Sequence, residues 1–204
     1  MGWNWLFSLW SFWILLVWMV MALVAPLLGD MPNTMNLNQL LASPFVIAPL
    51  GTDELGRELW ARLISGAQTS ASVAVIVISI SAIFGTVIGM MSAYIGGWFD
   101  HIMRWIMDAF LAFPHLLLAI ALAAVLGPGI DNLILALSLV GWVGYARLAR
   151  GQTLSLRSRY HIQAAKALGV ADHWILLKHI LPLLIAPLAV EATFGIAGHV
   201  NAEA

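Results

Sequence analysis

The chain has 204 residues, of which 62% are hydrophobic and 9% charged, with a net charge of −1 and a mean hydropathy of +0.93. These values exclude a water-soluble globular domain and set the class as a polytopic membrane protein. Cysteine is absent, which removes disulfides, thiolate nucleophiles and Cys-ligated metal sites.

Leu6 to Leu28 is uncharged and long enough to cross roughly 30 Å of hydrocarbon, and it lacks the basic start and short apolar core of a cleaved signal peptide. It is expected as a retained first span within residues 1–28. Residues 29–68 turn polar, with MPNTMNLNQ followed by PLGTDELGRELWARLISG, and predict an extended loop leading into a short amphipathic helix. The second span runs from Thr69 to Tyr94. Along it Ser81, Gly85, Gly89 and Ala93 fall four apart, so one face is built from small residues that let another backbone approach. IGGWFDHIMR makes a turn, a third span runs from about Trp105 to Leu126, and GPGIDN ends it as a hairpin. The fourth span starts at Leu133 and extends past Arg147 and Arg150, whose stems carry their charges to the interface. Leu183 to Val200 is the fifth, interrupted by Pro187 and carrying Glu191.

Six of the nine Lys/Arg residues, Arg147, Arg150, Arg157, Arg159, Lys166 and Lys178, lie between the fourth and fifth spans, against one acid, Asp172. Short basic loops stay in the cytoplasm, so this one is placed inside. Counting back puts FDHIMR inside, GPGIDN and the 29–68 loop outside, and the N-terminus inside.

Within that loop LRSRYHIQAAKAL has Leu156, Tyr160 and Ala164 at helical spacing, and Gly169 stands where a helix ends in a left-handed residue. Asp172 is positioned to cap a second helix, HWILLKHIL, which ends where Pro182 removes a donor. The pattern is a helix, a glycine elbow and a helix, and its length and order suggest a docking surface.

QAAKALG, followed by Leu181-Pro182 with Leu181 twelve residues beyond Gly169, resembles the EAA loop of bacterial ABC-transporter permease subunits. The wider match is to C-type permeases of the dipeptide/oligopeptide/nickel importer family. It is carried by PLGTDELGRELWARLISGAQTS, DAFLAFPHLLLAIAL and GWVGYARLARGQTLSLRSR, and covers about Leu50 to Ala197. The resemblance implies an all-α transmembrane bundle of the type I ABC importer permease kind, with a permease core over 69–204 and a coupling loop over 147–182. It also implies a bacterial inner-membrane subunit that binds no ATP and no cofactor. Two ABC ATPases, a second, B-type permease, an extracytoplasmic binding protein and membrane lipid are the implied partners, with no nucleic acid. Carried over by position, Gln163, Ala164 and Ala165 form the docking face, Gly169 is the elbow, and Leu181 and Pro182 close the loop. Family members commonly have Glu at the position of Gln163; the amide keeps shape and hydrogen bonding and drops the charge. Such permeases also continue into a sixth helix, whereas this chain stops at HVNAEA, so a C-terminally short chain is expected. Di- and oligopeptides are the substrate class implied first and nickel second.

Two acids fall inside spans and are candidate pore-lining groups, because intramembrane charge is costly. Asp108 has Arg104 one turn earlier as an i,i+4 partner, although acid before base is the better order. Glu191 has no such neighbour and must face the bundle interior, a partner or water. The six histidines are scattered with no chelating pair on one span, so no metal site is expected. Trp3, Trp5 and Trp98 lie near span ends as interface anchors, and Trp10, Trp13 and Trp18 are expected to pack around the first helix.

Gly51 and Gly56 are spaced like the glycines of a phosphate-binding loop, but Arg57 and Glu58 replace the GK[ST] that would hold nucleotide. Thr52 and Asp53 are expected to cap a helix and Arg57 to be a structural cation. An intramembrane enzyme would need convergent catalytic groups, and neither GxSxG nor HExxH occurs. A noncatalytic assembly subunit, whose basic loop anchors a cytoplasmic or lipid partner, is the remaining alternative.

Overall fold

A computed structural model of the chain describes the backbone of residues 4–203 and the side chains of residues 13–193 apart from Leu15. The side chains of Trp3, Trp5, Trp10 and His199, and of the outer parts of the first and fifth spans, lie outside the described residues. The chain divides into two compact units, Met1–Ser72 and Val73–Ala204.

In the first unit α1 (Asn4–Val24) passes into a short 3-10 turn, Ala25–Leu28, with Pro26 in its first turn, where a missing N–H costs nothing. Trp13 is 58% exposed and Trp18 is half-buried. The polar segment after Asn33 folds on itself around Gly51 and Gly56. Both have positive φ, +76° and +70°, and a Cβ on either would collide with backbone: 2.2 Å from the Ala42 oxygen for Gly51 and 1.9 Å from the Asn36 oxygen for Gly56. The glycines are therefore explained by close chain crossing.

The next helix, α2 (Leu59–Ile95), is one continuous element of 37 residues. The amphipathic helix expected before the second span is its first turns, since no proline interrupts LWARLISGAQTSA and an isolated glycine such as Gly66 weakens a helix without ending it. At 1.5 Å per residue it is about 55 Å long, well beyond the hydrocarbon thickness.

In the second unit α2 runs beside α5 (Ile130–Leu156), and three apolar clusters line the pair. Val73 and Val77 meet Ala119, Leu137 and Val140; Met107 meets Trp142, Val143 and Ala146; Met90 and Ala149 meet Leu156, Ile162, Ile175, Ile180 and Leu184. The small-residue face of α2 makes this possible: Ser81, Gly85, Gly89 and Ala93 are all buried. A Cβ on Gly85 would lie 2.3 Å from the Trp142 oxygen and one on Gly89 2.1 Å from the Ala146 oxygen, so the two backbones touch through the glycines. Phe84 and Phe110 flank Trp142 edge-on, each at 5.8 Å.

The third span departs from expectation. It is two helices, α3 (Gly97–Leu111) and α4 (His115–Leu126), bent by 88°. Pro114 supplies the reason: it has no N–H to continue α3 and it forces Phe113 out of the helical region. The α4–α5 hairpin is closed by Gly127 and Gly129, at φ +87° and +141°, with the Asn132 amide donating to the Leu126 and Gly127 oxygens.

After α5 come α6 (Tyr160–Ala167), α7 (Asp172–Trp174), a π-helical stretch (Ile175–Ile180) and α8 (Leu181–Glu203). The break expected at Pro182 is absent. The wide turns of Ile175–Ile180, whose pairing shifts to i→i+5 as in Leu181 N–H to Leu176 oxygen, carry the chain past the proline into α8. Among the described residues, three helices are long and apolar enough to cross a membrane, Leu59–Ile95, Ile130–Leu156 and Asp172–Thr193, and a fourth crossing results if α3 and α4 form one broken span.

Candidate coupling surface and the polar cluster beneath it

The basic loop begins where α5 stops. Arg157, just past the last turn, donates from Nη1 to the Ala93 oxygen at 2.7 Å, satisfying a carbonyl left open at the end of α2. Gln163 donates its side-chain amide to the Ser158 oxygen at 3.2 Å and so ties α6 to the preceding turn. α6 then sorts its residues by face. Ile162 and Ala165 turn inward into the cluster shared by α2, α5 and α8, at 2% and 7% exposure. Tyr160, at 91%, and Leu168, at 84%, face out, with Gln163 and Ala164 exposed between them.

Gly169 ends the helix at φ +78°. Its N–H meets the Lys166 oxygen at 3.0 Å and the Val170 N–H meets the Ala165 oxygen at 3.1 Å, the paired bonds of a Schellman motif. Val170 packs against the cluster that holds Ala165. The elbow is thus a rigid turn anchored on both sides.

Asp172 does not cap α7 with its side chain. Ala171 occupies that position in an extended conformation, and the Asp172 carboxylate instead accepts the Tyr94 hydroxyl at 2.5 Å. Leu181 packs on the cluster and Pro182 is exposed, so of the six residues expected in the loop's function Gln163, Ala164, Gly169 and Pro182 reach the surface while Ala165 and Leu181 turn inward.

Beneath the loop lies a cluster that the residue pattern did not disclose. Asp100 on α3 accepts the Ser92 hydroxyl at 2.7 Å and both the Nε and Nη2 of Arg150 at 2.6 and 2.8 Å. Arg104 adds a longer contact at 3.4 Å. Three elements, α2, α3 and α5, are thereby fastened through one carboxylate whose side chain is 13% exposed. The expected Arg104–Asp108 pair is not formed. Arg104 turns back to Asp100, the acid that precedes it by four and hence the favoured order, and Asp108 is left exposed without an ion pair among the described residues.

Glu191 is half-buried on the α8 side facing α5, its Oε1 3.1 Å from where a Cβ of Gly144 would stand. Glycine at 144 leaves room for that carboxylate between the two helices. Among the described residues no group of three or more His, Asp or Glu gathers as a metal site.

In the first unit Asp53 forms a second polar knot. Its Oδ1 accepts the N–H groups of Leu55 and Arg57 at 2.8 and 2.9 Å, and its Oδ2 takes Arg57 Nε at 2.8 Å and Arg62 Nη1 at 2.6 Å. Burial would push this carboxyl up, but the two N–H groups and the Arg57 guanidinium outweigh it and hold the group well below the usual carboxylate range. Asp53 caps a turn ahead of α2 rather than the helix itself, while Thr52 accepts the Ala42 N–H at 2.9 Å and donates to the Gln39 oxygen.

The profile of the binding-protein-dependent transport system inner membrane component family matches residues 85–204. The chain belongs to this family. Among curated relatives, the dipeptide transport system permease protein DppC of Alkalihalophilus pseudofirmus is 38% identical over 183 residues, 89% of this chain and 60% of the relative. The probable D,D-dipeptide transport system permease protein DdpC of Escherichia coli K12 is 39% identical over 185 residues, 90% of this chain and 62% of the relative. The glutathione transport system permease protein GsiD of Shigella sonnei is 38% identical over 167 residues, 82% and 55% respectively. The chain spans less than two thirds of the length of each. The Asp100 cluster, the α6 face and Glu191 all fall inside the family match.

Proposed function

We propose that this permease-family chain forms half of the membrane path of an ATP-driven importer, and that α6 is the lever through which two cytoplasmic ATPases act on it. The observation that carries this reading is the division of α6 into an inner face, Ile162 and Ala165, locked into the α2–α5–α8 cluster, and an outer face, Tyr160, Gln163, Ala164 and Leu168, that is bare. A helix exposing a tyrosine and a leucine beside a small alanine has the surface of a docking element. Its rigid elbow at Gly169 passes force into α8 without loss in a flexible joint. The docking face is therefore Tyr160, Gln163, Ala164 and Leu168, with Ala165 as its inward anchor.

In this reading the N-terminus and the 147–182 loop are cytoplasmic, residues 29–68 are extracytoplasmic, and α1 joins the other crossings to make five spans. A second, B-type permease completes the path, and a substrate-binding protein delivers cargo from outside. The chain hydrolyses no ATP. Peptides are favoured over nickel because the relatives' names refer to dipeptides and glutathione. Glu191, beside the gap at Gly144, is the candidate pore-lining acid of the two; Asp108 is the other. A noncatalytic assembly role is the alternative that the test below separates.

The test is purification from native membranes in mild detergent, as found and with Gly169→Pro, followed by mass spectrometry of what accompanies the chain. Proline cannot adopt φ +78°, so the variant breaks the elbow. An ABC ATPase and a second permease are expected with the native chain, and loss of the ATPase is expected with the variant. Recovery of neither partner, under conditions that preserve a known ABC complex, contradicts the importer reading.

A further inference from the structure

A recess of about 290 Å³ opens beside α6, lined by Tyr94, Arg157, Ser158, Ile162, Gln163 and Lys166. Its position is set by two helices that end together: Tyr94 lies in the last turn of α2 and Arg157 follows the last turn of α5, and the Arg157 bond to the Ala93 oxygen links them. Both helices are membrane-spanning candidates, and Tyr94 closes the apolar run of α2 while Arg157 lies on the polar side of that of α5, which sets the recess beside the end of the hydrocarbon-crossing part.

The chemistry of its wall is one-sided. Arg157 spends one N–H on Ala93 and keeps others, and Lys166, exposed and 5.9 Å above the Tyr94 ring, brings three donors. Gln163 spends one amide N–H on Ser158 and has a second. Asp172, whose carboxylate accepts the Tyr94 hydroxyl, keeps its negative charge nearby but does not line the recess, and the two cations leave the wall net positive. Two cations and an amide around an open recess at a membrane boundary fit a phosphate oxyanion.

We propose that this recess binds the phosphate of an acidic phospholipid headgroup, as a lipid site built into the flank of α6 beside the face assigned to the ATPase, with Gln163 at the border of the two. Basic pockets at the ends of membrane helices hold such headgroups through charge and hydrogen bonding together. The half-buried Tyr94 ring offers the apolar side that a lipid's glycerol end requires. Occupancy would brace α6 against α2 through Lys166.

The experiment places the chain, with the subunits that co-purify, in nanodiscs of equal phosphatidylcholine and phosphatidylglycerol, and counts retained lipids by native mass spectrometry. Preferential retention of phosphatidylglycerol is expected, falling about fivefold in Lys166→Gln, the loss of one surface cation. Lys178→Gln is expected to leave it unchanged, because Lys178 stacks on Trp174 at 4.3 Å, outside the recess. Lys166 is exposed, so its replacement leaves the fold intact, which circular dichroism checks. A second arm follows acetylation of Lys166 in lipid-free detergent with inorganic phosphate. Protection there without any preference for phosphatidylglycerol would keep the phosphate site and overturn the lipid as its occupant. Equal retention of both lipids by native chain and Lys166→Gln, with no protection by phosphate, overturns the proposal, as does a cross-link from Lys166 to a protein subunit that excludes lipid.

Discussion

Asp53 and Asp100 do the same work in different surroundings. Each gathers two arginines and one or more neutral donors around a carboxylate that is barely exposed, at 11% and 13%. The partners of Asp53 all lie within nine residues, so it stabilises a turn. Those of Asp100 reach fifty residues along the chain, so it joins helices. Identical chemistry thus has local consequences in one unit and architectural ones in the other.

Breaking the Asp100 cluster should have the largest effect. Asp100→Ala leaves Arg150 without its bidentate partner and is expected to cost about 3–5 kcal/mol, the range for half of a buried ion pair. Thermal unfolding in detergent reads this, and the double variant Asp100→Leu with Arg150→Met should recover a part of it because both charges leave together. A drop no larger than that of an exposed pair would mean the cluster does not hold α3 to α5.

Gly89→Ala probes the same junction by packing. Its Cβ would meet the Ala146 backbone, which cannot swing aside, so a loss of about 1–3 kcal/mol is expected. Gly151→Ala on α5, where a Cβ meets nothing within 4 Å, should be neutral or slightly stabilising in the same assay.

The Asp53 knot should yield a smaller, local and pH-dependent response. Its carboxyl is depressed below the ordinary value near 3.9, so the stability it contributes is present above that value and is lost as the pH falls through the folded-state one. Hydrogen exchange over residues 51–58 should stay slow at pH 5 and quicken only well below pH 4. Asp53→Asn should show fast exchange there at every pH with the helices of the second unit unaffected.

That contrast also explains what was legible in the residues. The turn at Gly169, the small face of α2 and the basic loop are written within a few positions of one another, where spacing speaks directly, whereas the crossings at Gly51 and Gly56 are not read from it. The Asp100–Arg150 pair is not, since no local rule links residues fifty apart. Part of it was within reach: acid four before base favours Asp100–Arg104 over Arg104–Asp108. Pro114 and Pro182 show the limit of reading a proline alone. The first ends α3 and bends the span by 88°, whereas the second is absorbed by the π-helical turns before it, whose Ile175 and Ile180 are buried with Leu184 in one cluster.

The coupling role of α6 depends on its bare face, and the absence of cysteine from the sequence makes that face directly accessible to one measurement. Leu168→Cys on the outer face and Ala165→Cys on the inner one would be treated, in the assembled native-membrane complex, with a short thiol-to-amine cross-linker. Linkage of residue 168, but not 165, to a subunit identified by mass spectrometry as an ABC ATPase is the predicted result. An assembled complex in which residue 168 links to no ATPase would contradict the assignment of α6 as the coupling helix.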